Sequence, residues 1–306
     1  MANEKKIVAY KGFDKDFKCR DFQYEVGKTY EMDGNIKCYN RGFHACESPM
    51  EVFDCYDMLT SRFAAVEQSG KIDKEESSTK VCSSRIKIKA ELKLADIIKL
   101  GVEWLKEITV PSKIEADNSS NEDDSAKIGS SGYSAKIGSS GDYAKIGSSG
   151  CSAQIGSSGD YAKIGSSGYS AQIGSSGYSA KIGSSGDYAK IGSSGYSAQI
   201  GSSGDYAKIG SSGCSAQIGS SGCSAKIGSS GDYAQIDSSG LNSVVMCAGF
   251  DSKAKAAIGS WITLAEWKRI GDVRKPICVK TEQVDGKRIK ADTYYKLIDG
   301  KFEEVE

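Results

Sequence analysis

The chain has 306 residues, of which 36 are glycine and only 3 are proline, so we do not expect a uniform globular fold. Lys and Arg together number 40, Asp and Glu together also number 40, and the net charge is zero. The net charge therefore creates no overall electrostatic field that would attract the chain to nucleic acid or to an anionic membrane. These numbers argue against a nucleic-acid-binding or membrane-surface protein.

The first residues lead into a strand-like stretch, Ile7 to Tyr10, and no apolar run approaches the length of a membrane span. The sequence therefore predicts a cytoplasmic protein. Its ten cysteines include no CxxC pair, and a chain that is not secreted keeps its thiols reduced. We expect neither a disulfide framework nor a metal site, and no motif indicates a resident cofactor.

Residues 1–112 have the pattern of a compact α+β domain. The first helix has a start signal, because Ser48 stands at the cap, Pro49 at the first helical position and Glu51 where a capping box needs it. The second helix places its apolar residues on one face. The predicted strands are Lys6–Phe13, Phe22–Met32, Ile36–Cys46, Phe63–Glu67 and Ser84–Leu92, and the predicted helices are Pro49–Leu59 and Leu94–Ile108. Residues 113–125 are polar and acidic and read as a linker or an exposed first cap.

The domain contains the only histidine, His44, at the end of a predicted strand. Cys46 and Cys55 lie near it in sequence and would allow a cysteine–histidine pair. A lone histidine beside an apolar strand is more often a packed or hydrogen-bonded structural residue. We therefore predict no catalytic residues, and we name Tyr10 and His44 as a possible site of this domain.

Residues 126–242 repeat every nine residues for thirteen units, with the consensus Ala-(Lys/Gln)-Ile-Gly-Ser-Ser-Gly-x-x. Only Asp237 interrupts the Gly-Ser-Ser-Gly tetrads. A flexible linker has no reason to place isoleucine at every ninth residue, whereas a stacked core needs it in every turn. The calcium-binding nonapeptide signature is absent. The array is therefore predicted to be a β-solenoid.

Strand side chains alternate between two faces, so Ala135 and Ile137 share an inward face while Ser134 and Lys136 point outward. The tetrad then forms the corner, its glycines taking backbone angles that other residues avoid. Nine residues are too few to form two strands with a packed layer of side chains between them. We therefore expect two units per turn in a flattened parallel solenoid, with three units per turn as the alternative.

In twelve of the thirteen units the two variable residues read Tyr-Ser, Cys-Ser or Asp-Tyr, and in the last unit they are Leu241-Asn242. By the alternation above, the Asp-Tyr tyrosines point outward beside rows of Lys and Gln, and tyrosine supplies much contact area at low entropic cost. They form the predicted binding face: Tyr143, Tyr161, Tyr188, Tyr206 and Tyr233. The alternative is that these rings only support neighbouring turns.

Residues 243–306 are predicted to form a β-rich cap. Trp261 and Trp267 are expected to close the open end of the core, and residues from Ile289 to Val305 read as a hairpin around Asp299-Gly300. Such a cap also blocks end-to-end association of exposed strands.

Three segments resemble a family of uncharacterised phage and prophage proteins, some of which carry similar Ile-Gly-Ser-Ser-Gly nonapeptides. The segments run from Tyr10 to Phe13, from Cys19 to Tyr30 and from Arg41 to Cys46. The resemblance covers nearly all of the predicted N-terminal domain, together with the array. It implies a phage-derived protein in the cytoplasm of a bacterial host cell, and no particular activity.

The strand with Tyr10-Lys11-Gly12, followed by Gly42-Phe43-His44-Ala45, also resembles the layout of small ADP-ribosyltransferase-like domains, which bind NAD. Lys11 stands where those domains often have Arg, and only Glu67 and Glu91 remain for the catalytic carboxylate. The sequence thus predicts a non-enzymatic binding protein that presents its solenoid to a host protein or protein complex, in the most specific version a bacterial defence complex. An ADP-ribosyltransferase-like enzyme is the alternative. An ice-binding solenoid is disfavoured because its outward rows lack threonine.

Overall fold

The computed structural model describes residues 6–75, 79–109 and 118–306. The chain divides into two compact units, one ending at Trp104 and one running from Leu105 to Glu306. Residues 113–117 of the predicted acidic linker lie outside the described residues. Residues 118–121 form a strand that belongs to the solenoid.

The first unit is an antiparallel sheet in the order β4-β7-β5-β1-β6. Strand β6 also pairs with β7, so β7, β5, β1 and β6 form a closed ring. The strands are β1 (Ile7–Phe13), β2 (Lys18–Cys19), β3 (Phe22–Gln23), β4 (Thr29–Glu31), β5 (Phe43–Cys46), β6 (Arg62–Lys74) and β7 (Lys80–Leu92), and the helix is α1 (Leu94–Ile108). Aromatic and branched residues, including Phe13, Phe43 and Ile86, fill the ring's core.

Three predicted elements of this unit need correction. The predicted helix over 49–59 is a single 3₁₀ segment, Pro49–Asp54, and Ser48 makes no side-chain cap bond. Glu51 Oε2 instead accepts hydrogen bonds from the backbone N–H of Thr79, at 3.1 Å, and from its Oγ1, at 2.8 Å. The strands predicted over 22–32 and 36–46 are each shorter, because turns interrupt them. The helix over 94–108 is confirmed.

The second unit is a parallel β-solenoid whose strands alternate between two sheets. Sheet I has the order β25-β24-β22-β20-β18-β16-β14-β12-β10-β8, and sheet II has β27-β26-β23-β21-β19-β17-β15-β13-β11-β9. The solenoid strands are β8 (Asn118–Asn121), β9 (Lys127–Ser130), β10 (Lys136–Ser139), β11 (Lys145–Ser148), β12 (Gln154–Ser157), β13 (Lys163–Ser166), β14 (Gln172–Ser175), β15 (Lys181–Ser184), β16 (Lys190–Ser193), β17 (Gln199–Ser202), β18 (Lys208–Ser211), β19 (Gln217–Ser220), β20 (Lys226–Ser229), β21 (Gln235–Ser238), β22 (Val244–Cys247), β23 (Lys253–Ala256) and β24 (Trp261–Ile270).

The register settles the number of units per turn. Lys136 pairs with Gln154 and Ile137 with Ile155, so equivalent residues in one sheet stand 18 positions apart. Two nine-residue units therefore make one turn, as predicted, and three units per turn is wrong. The Ile, Gly and Ser positions of the repeat strands therefore stack on identical residues, with Asp237 as the exception, whereas lysine and glutamine can stack on each other at the first strand position.

The inward face is built as the alternation predicts. Ile137, Ile164 and Ile182 are buried, and the alanines before their strands, at 135, 162 and 180, are buried as well. The strand itself covers only the Lys/Gln-Ile-Gly-Ser residues, so the alanine belongs to the turn rather than to the strand. The serine that ends each strand from β10 to β21 is also buried.

The corners differ from the prediction in where the unusual backbone angle falls. The tetrad glycines, for example Gly174 and Gly177, do not have positive φ; the left-handed residue is the one before the alanine, such as Ser179 at 52° or Tyr188 at 58°. The second glycine of the tetrad is needed for space. A Cβ on Gly177 would lie 1.9 Å from the carbonyl oxygen of Gly159 in the preceding turn. Glycine therefore permits close stacking of the turns.

The C-terminal cap consists of two hairpins, in which β24 pairs with β25 (Val273–Gln283) and β26 (Tyr294–Ile298) pairs with β27 (Lys301–Val305). The second hairpin turns at Asp299-Gly300, as predicted. The tryptophans do not close the core, because Trp261 is 45% exposed and Trp267 lies partly buried with its Nε1 donating to the Ala248 carbonyl at 2.9 Å. The residues that join the solenoid core are Val284, Ile289, Tyr295 and Leu297. In the described parts of the chain, no helix combines the length and apolar character needed to cross a bilayer.

Candidate functional site

The five tyrosines of the predicted binding face lie in the turns and do not share one face. Tyr143, Tyr161 and Tyr233 lie on the edge where the chain passes from sheet I to sheet II, and Tyr188 and Tyr206 lie on the opposite edge. The reason is arithmetic. Positions two units apart share an edge, whereas positions three units apart are separated by one and a half turns and lie on opposite edges.

On each edge the tyrosines form a stacked ladder together with tyrosines of the Tyr-Ser units. Ring centroids are 5.1 Å apart for Tyr143 and Tyr161 and 5.5 Å apart for Tyr178 and Tyr196. Tyr188 stacks on Tyr206 at 5.0 Å. These rings remain 41% to 54% exposed. Their geometry supports neighbouring turns and also leaves aromatic surface on both edges.

The aspartates of the Asp-Tyr units have a structural role that the sequence analysis missed. Asp160 Oδ1 accepts the backbone N–H of Tyr178, at 2.7 Å, and Asp205 Oδ1 accepts that of Cys223, also at 2.7 Å. Each carboxylate thus satisfies a donor in the next turn of the same edge. The recurrence of Asp before Tyr, always with a further unit one full turn later, was the available signal.

The outer surface of sheet I carries an open groove that we call the glycine track. Its floor consists of the first glycines of six tetrads, and a Cβ added at any of them meets no atom within 4 Å. One row of polar residues borders it, namely Lys136, Gln154, Gln172, Lys190, Lys208 and Lys226. The track residues are Gly138, Gly156, Gly174, Gly192, Gly210 and Gly228.

The corresponding glycines of sheet II are not open. A Cβ on Gly129 would lie 1.8 Å from the main-chain oxygen of Thr109, and one on Gly147 would lie 2.4 Å from Thr109 Oγ1. The next glycines of this sheet, at 165, 183, 201 and 219, are buried. Lys181, which borders them, is only 6% exposed. Of the two sheets, sheet I is therefore the one that presents its glycine row to solvent.

The first unit contains a separate cavity of about 220 Å³, which we call the head cavity. Tyr10 and His44 both line it, so the structure brings the two predicted residues together. The lining residues are Tyr10, Lys11, Gly12, Arg20, Cys38, Tyr39, His44, Ala45, Cys46, Val52, Cys55, Tyr56 and Lys80.

His44 is held in its neutral form. Its Nε2 accepts the backbone N–H of Tyr39 at 3.0 Å. Burial lowers the pKa of the imidazole, and the positive charges of Lys11 and Arg20 lower it further. Burial also raises the pKa of the Cys46 thiol to about 12. A thiol that stays protonated is a poor nucleophile, so these two residues do not form an activated cysteine–histidine pair.

Lys11 is the most unusual group of the head cavity, with only 4% of its surface exposed. Its Nζ donates to the His44 carbonyl at 3.1 Å and to Cys19 Sγ at 3.4 Å. The ring centroids of Phe13, Tyr24 and Tyr56 lie 5.6 to 5.9 Å from it. Burial lowers its pKa. The sequence carried the signal, because Lys11 shares the inward face of β1 with Ile7, Ala9 and Phe13.

The two glutamates considered for an ADP-ribosyltransferase lie outside the head cavity. Glu67 pairs with Lys6 at 3.1 Å and with Lys89 at 3.6 Å, and Glu91 pairs with Arg62 at 2.7 Å. These partners lower the pKa of both carboxyls. The described residues that line the cavity include no carboxylate.

Within the described residues, one group brings three possible metal ligands within 4.8 Å of one another, namely Cys38, Asp73 and Cys82. Hydrogen bonds already join two of them. The Cys38 N–H donates to Asp73 Oδ2 at 2.8 Å, and the Cys38 thiol donates to the Asp73 carbonyl at 3.4 Å. Burial raises the pKa of the Cys82 thiol to about 12, which opposes the deprotonation that a metal ligand requires.

Comparison of the chain with curated proteins and with solved structures gives no match. Residues 7–100 match the model of a family described as a domain of unknown function, DUF7666. The matched segment contains every residue that lines the head cavity. The solenoid lies outside it, so the similarity to a known family concerns the N-terminal domain alone.

Proposed function

We propose that the chain is a non-enzymatic binding protein whose solenoid presents the glycine track of sheet I to an extended acidic segment of a host protein. The observation that carries the proposal is the contrast between the two sheets. Six consecutive glycines of sheet I have open space where a side chain would be, whereas the equivalent glycines of sheet II are buried or lie against Thr109.

Sheet II supplies the reason for choosing polypeptide as the ligand. There the main chain of Thr109 lies directly against Gly129, at a distance that only glycine allows. The glycine row of this solenoid therefore accepts polypeptide backbone at close range. The row of sheet I is built from the same repeat and offers the same floor.

The bordering residues determine the charge of the partner. Four of the six are lysines and two are glutamines, so the row offers ammonium and amide donors and no carboxylate. A second copy of sheet I would place lysine opposite lysine, which disfavours face-to-face self-association. The six turns are separated by five steps of ~4.8 Å, which gives a track of ~24 Å that about seven extended residues span.

The segments of the N-terminal domain that resemble phage and prophage proteins suggest the biological setting. We propose that the protein acts in the cytoplasm of an infected bacterium and occludes a surface of a host protein, in the most specific version a defence complex. Support for this setting is the sequence resemblance alone, which is an argument by analogy. The ADP-ribosyltransferase alternative loses support because Glu67 and Glu91 lie outside the head cavity and are paired elsewhere.

The test measures binding of a fluorescent oligoglutamate of about ten residues, long enough to cover the track, by fluorescence anisotropy with the full chain. The variant Gly174→Val/Gly192→Val fills the track where no neighbour is within 4 Å, and valine favours a strand. We expect it to melt no lower than the parent and to bind at least tenfold more weakly. Lys190→Gln/Lys208→Gln should also weaken binding.

The matched control is Lys287→Gln/Lys301→Gln, which removes the same charge from exposed positions of the cap. We expect its affinity to equal that of the parent. Equal weakening in both lysine variants would mean that only net charge matters. Undiminished binding by the valine variant would show that the track is not the contact, and the tyrosine ladders would then be tested by Tyr188→Ser/Tyr206→Ser.

A further inference from the structure

The head cavity has an unbalanced charge. Lys11, Arg20 and Lys80 line it together with His44, while its described lining contains no aspartate or glutamate. Lys80 is engaged, because its Nζ donates to the Tyr39 hydroxyl at 3.2 Å. Lys11 and Arg20 are the other two cationic side chains of the lining.

Lys11 is costly where it lies. A buried ammonium loses most of its hydration, and a nearby carboxylate is the usual compensation. Its hydrogen-bond acceptors here are a thiol and a carbonyl, and three aromatic rings surround it at cation–π distances. These groups stabilise a positive charge only in part. Lys11, Arg20, His44 and Tyr56 also line a second cleft, which contains Asp21 and Glu31, and Glu31 pairs with Arg85 at 2.8 Å.

We propose that the head cavity is a binding site for a small anionic metabolite that carries a phosphate or carboxylate group. Lys11 supplies the buried counter-charge at the inner wall, and Arg20 supplies a guanidinium fork, a group suited to phosphate and carboxylate oxygens. The tyrosines at 10, 39 and 56 line the remaining wall for the less polar part of the ligand. About 220 Å³ is enough for a phosphate-sized group with a small organic part.

Arg20 is exposed and is held with a positive φ of 55° between the short strands β2 and β3. A side chain on such a turn is positioned by the backbone rather than by packing. It is therefore free to be replaced without disturbing the core. Lys11, in contrast, is part of the core, and methionine is the replacement that keeps its length while removing the charge.

The experiment measures thermal melting and isothermal titration calorimetry of the full chain with three probes: inorganic phosphate, pyrophosphate and malonate. Ionic strength is held constant with chloride. We expect at least one probe to raise the melting temperature by an amount that grows with probe concentration, because a ligand that binds only the folded state stabilises it. A response to phosphate or pyrophosphate alone identifies a phosphate ligand, and a response to malonate alone identifies a carboxylate ligand.

Two variants locate the site. Lys11→Met should fold, melt at the same or a higher temperature without probe, and lose the response to the probe. Arg20→Asn, which suits the positive φ, should bind at least tenfold more weakly. Lys287→Gln in the cap is the control and should bind as the parent does. If no probe stabilises the parent, or if both head variants retain full binding, the proposal is wrong.

This inference is independent of the glycine track, and the two sets of variants separate them. Lys11→Met and Arg20→Asn should leave oligoglutamate binding unchanged, and Gly174→Val/Gly192→Val should leave anion binding unchanged. Loss of both activities in any one variant would indicate general damage to the fold, which the melting curve of that variant reveals.

Discussion

Two glycines of one tetrad, Gly174 in strand β14 and Gly177 in the following corner, should respond in opposite ways to replacement by alanine. Neither has a positive φ, so the backbone angle does not distinguish them. A Cβ on Gly174 meets nothing within 4 Å, whereas a Cβ on Gly177 would lie 1.9 Å from the Gly159 oxygen and 2.6 Å from its carbonyl carbon. Real Cβ atoms keep at least 3.0 Å from such neighbours. The turns must therefore separate locally by roughly 1 Å if Gly177 becomes alanine, because packed atoms cannot interpenetrate.

The energetic consequence follows from the hydrogen bonds that cross the same gap. Ser176 N–H donates to the Ser157 carbonyl at 3.0 Å, and Tyr178 N–H donates to Asp160 Oδ1 at 2.7 Å. A separation of that size breaks both. A neutral bond contributes ~1 kcal/mol and one to a charged group ~2 kcal/mol, so the loss is about 3 kcal/mol. Gly174→Ala should instead stabilise by ~0.5 kcal/mol, because it removes glycine's excess backbone entropy in a strand.

The assay is urea denaturation of both variants, followed by far-ultraviolet circular dichroism. Stacked turns need not unfold in one step, so the midpoints are compared rather than extrapolated free energies. We expect a lower midpoint for Gly177→Ala and a midpoint at or above that of the parent for Gly174→Ala. Equal midpoints would show that the turns can separate without cost, and the role of glycine in close stacking would be refuted.

Three further changes test other parts of the structure. Ser184→Ala should stabilise the fold by ~1 kcal/mol in urea denaturation, because the buried Ser184 hydroxyl has no hydrogen-bond partner among the described residues. Ser252→Ala should destabilise the fold, because it loses the 2.9 Å hydrogen bond that the Ala234 N–H donates to the Ser252 hydroxyl. Stabilisation by both substitutions would contradict the reasoning. Lys255→Met should destabilise the fold by ~3 kcal/mol, because it removes the ion-pair partner of the Asp237 carboxylate, whose side chain is only 15% exposed. If the unpaired carboxylate is the cause, adding Asp237→Gly should restore the melting temperature. The pKa of His44 is lowered in the folded state. The neutral imidazole therefore contributes stability above the unfolded pKa of ~6.5, and this stability is lost as the pH falls below that value. His44 is the only histidine and gives a single NMR titration curve, in which a midpoint at or above ~6.5 would contradict the lowered pKa.

The sequence by itself determined those features that follow from local periodicity. The nine-residue repeat and strand alternation correctly placed Ile137 and Ala135 inside. The apolar face of residues 94–108 correctly predicted the helix, and Asp299-Gly300 correctly marked the final hairpin. Each depends on residues close together in the chain, whose spacing is visible without a fold. The fold class, a strand-rich N-terminal domain followed by a capped parallel solenoid, follows from the same patterns.

The tertiary structure decided what depends on residues from different turns. The predicted tyrosine face is divided between two edges, because a step of three units crosses the solenoid. Glu51 bonds to Thr79 rather than to its own helix start, because a distant strand offers better-placed donors. Gly177 is needed because Gly159, one full turn earlier, lies directly behind it. In the N-terminal domain, closure of the ring of strands surrounds Lys11 with aromatic rings and joins it to His44. Such proximity arises from packing, and sequence spacing does not encode it.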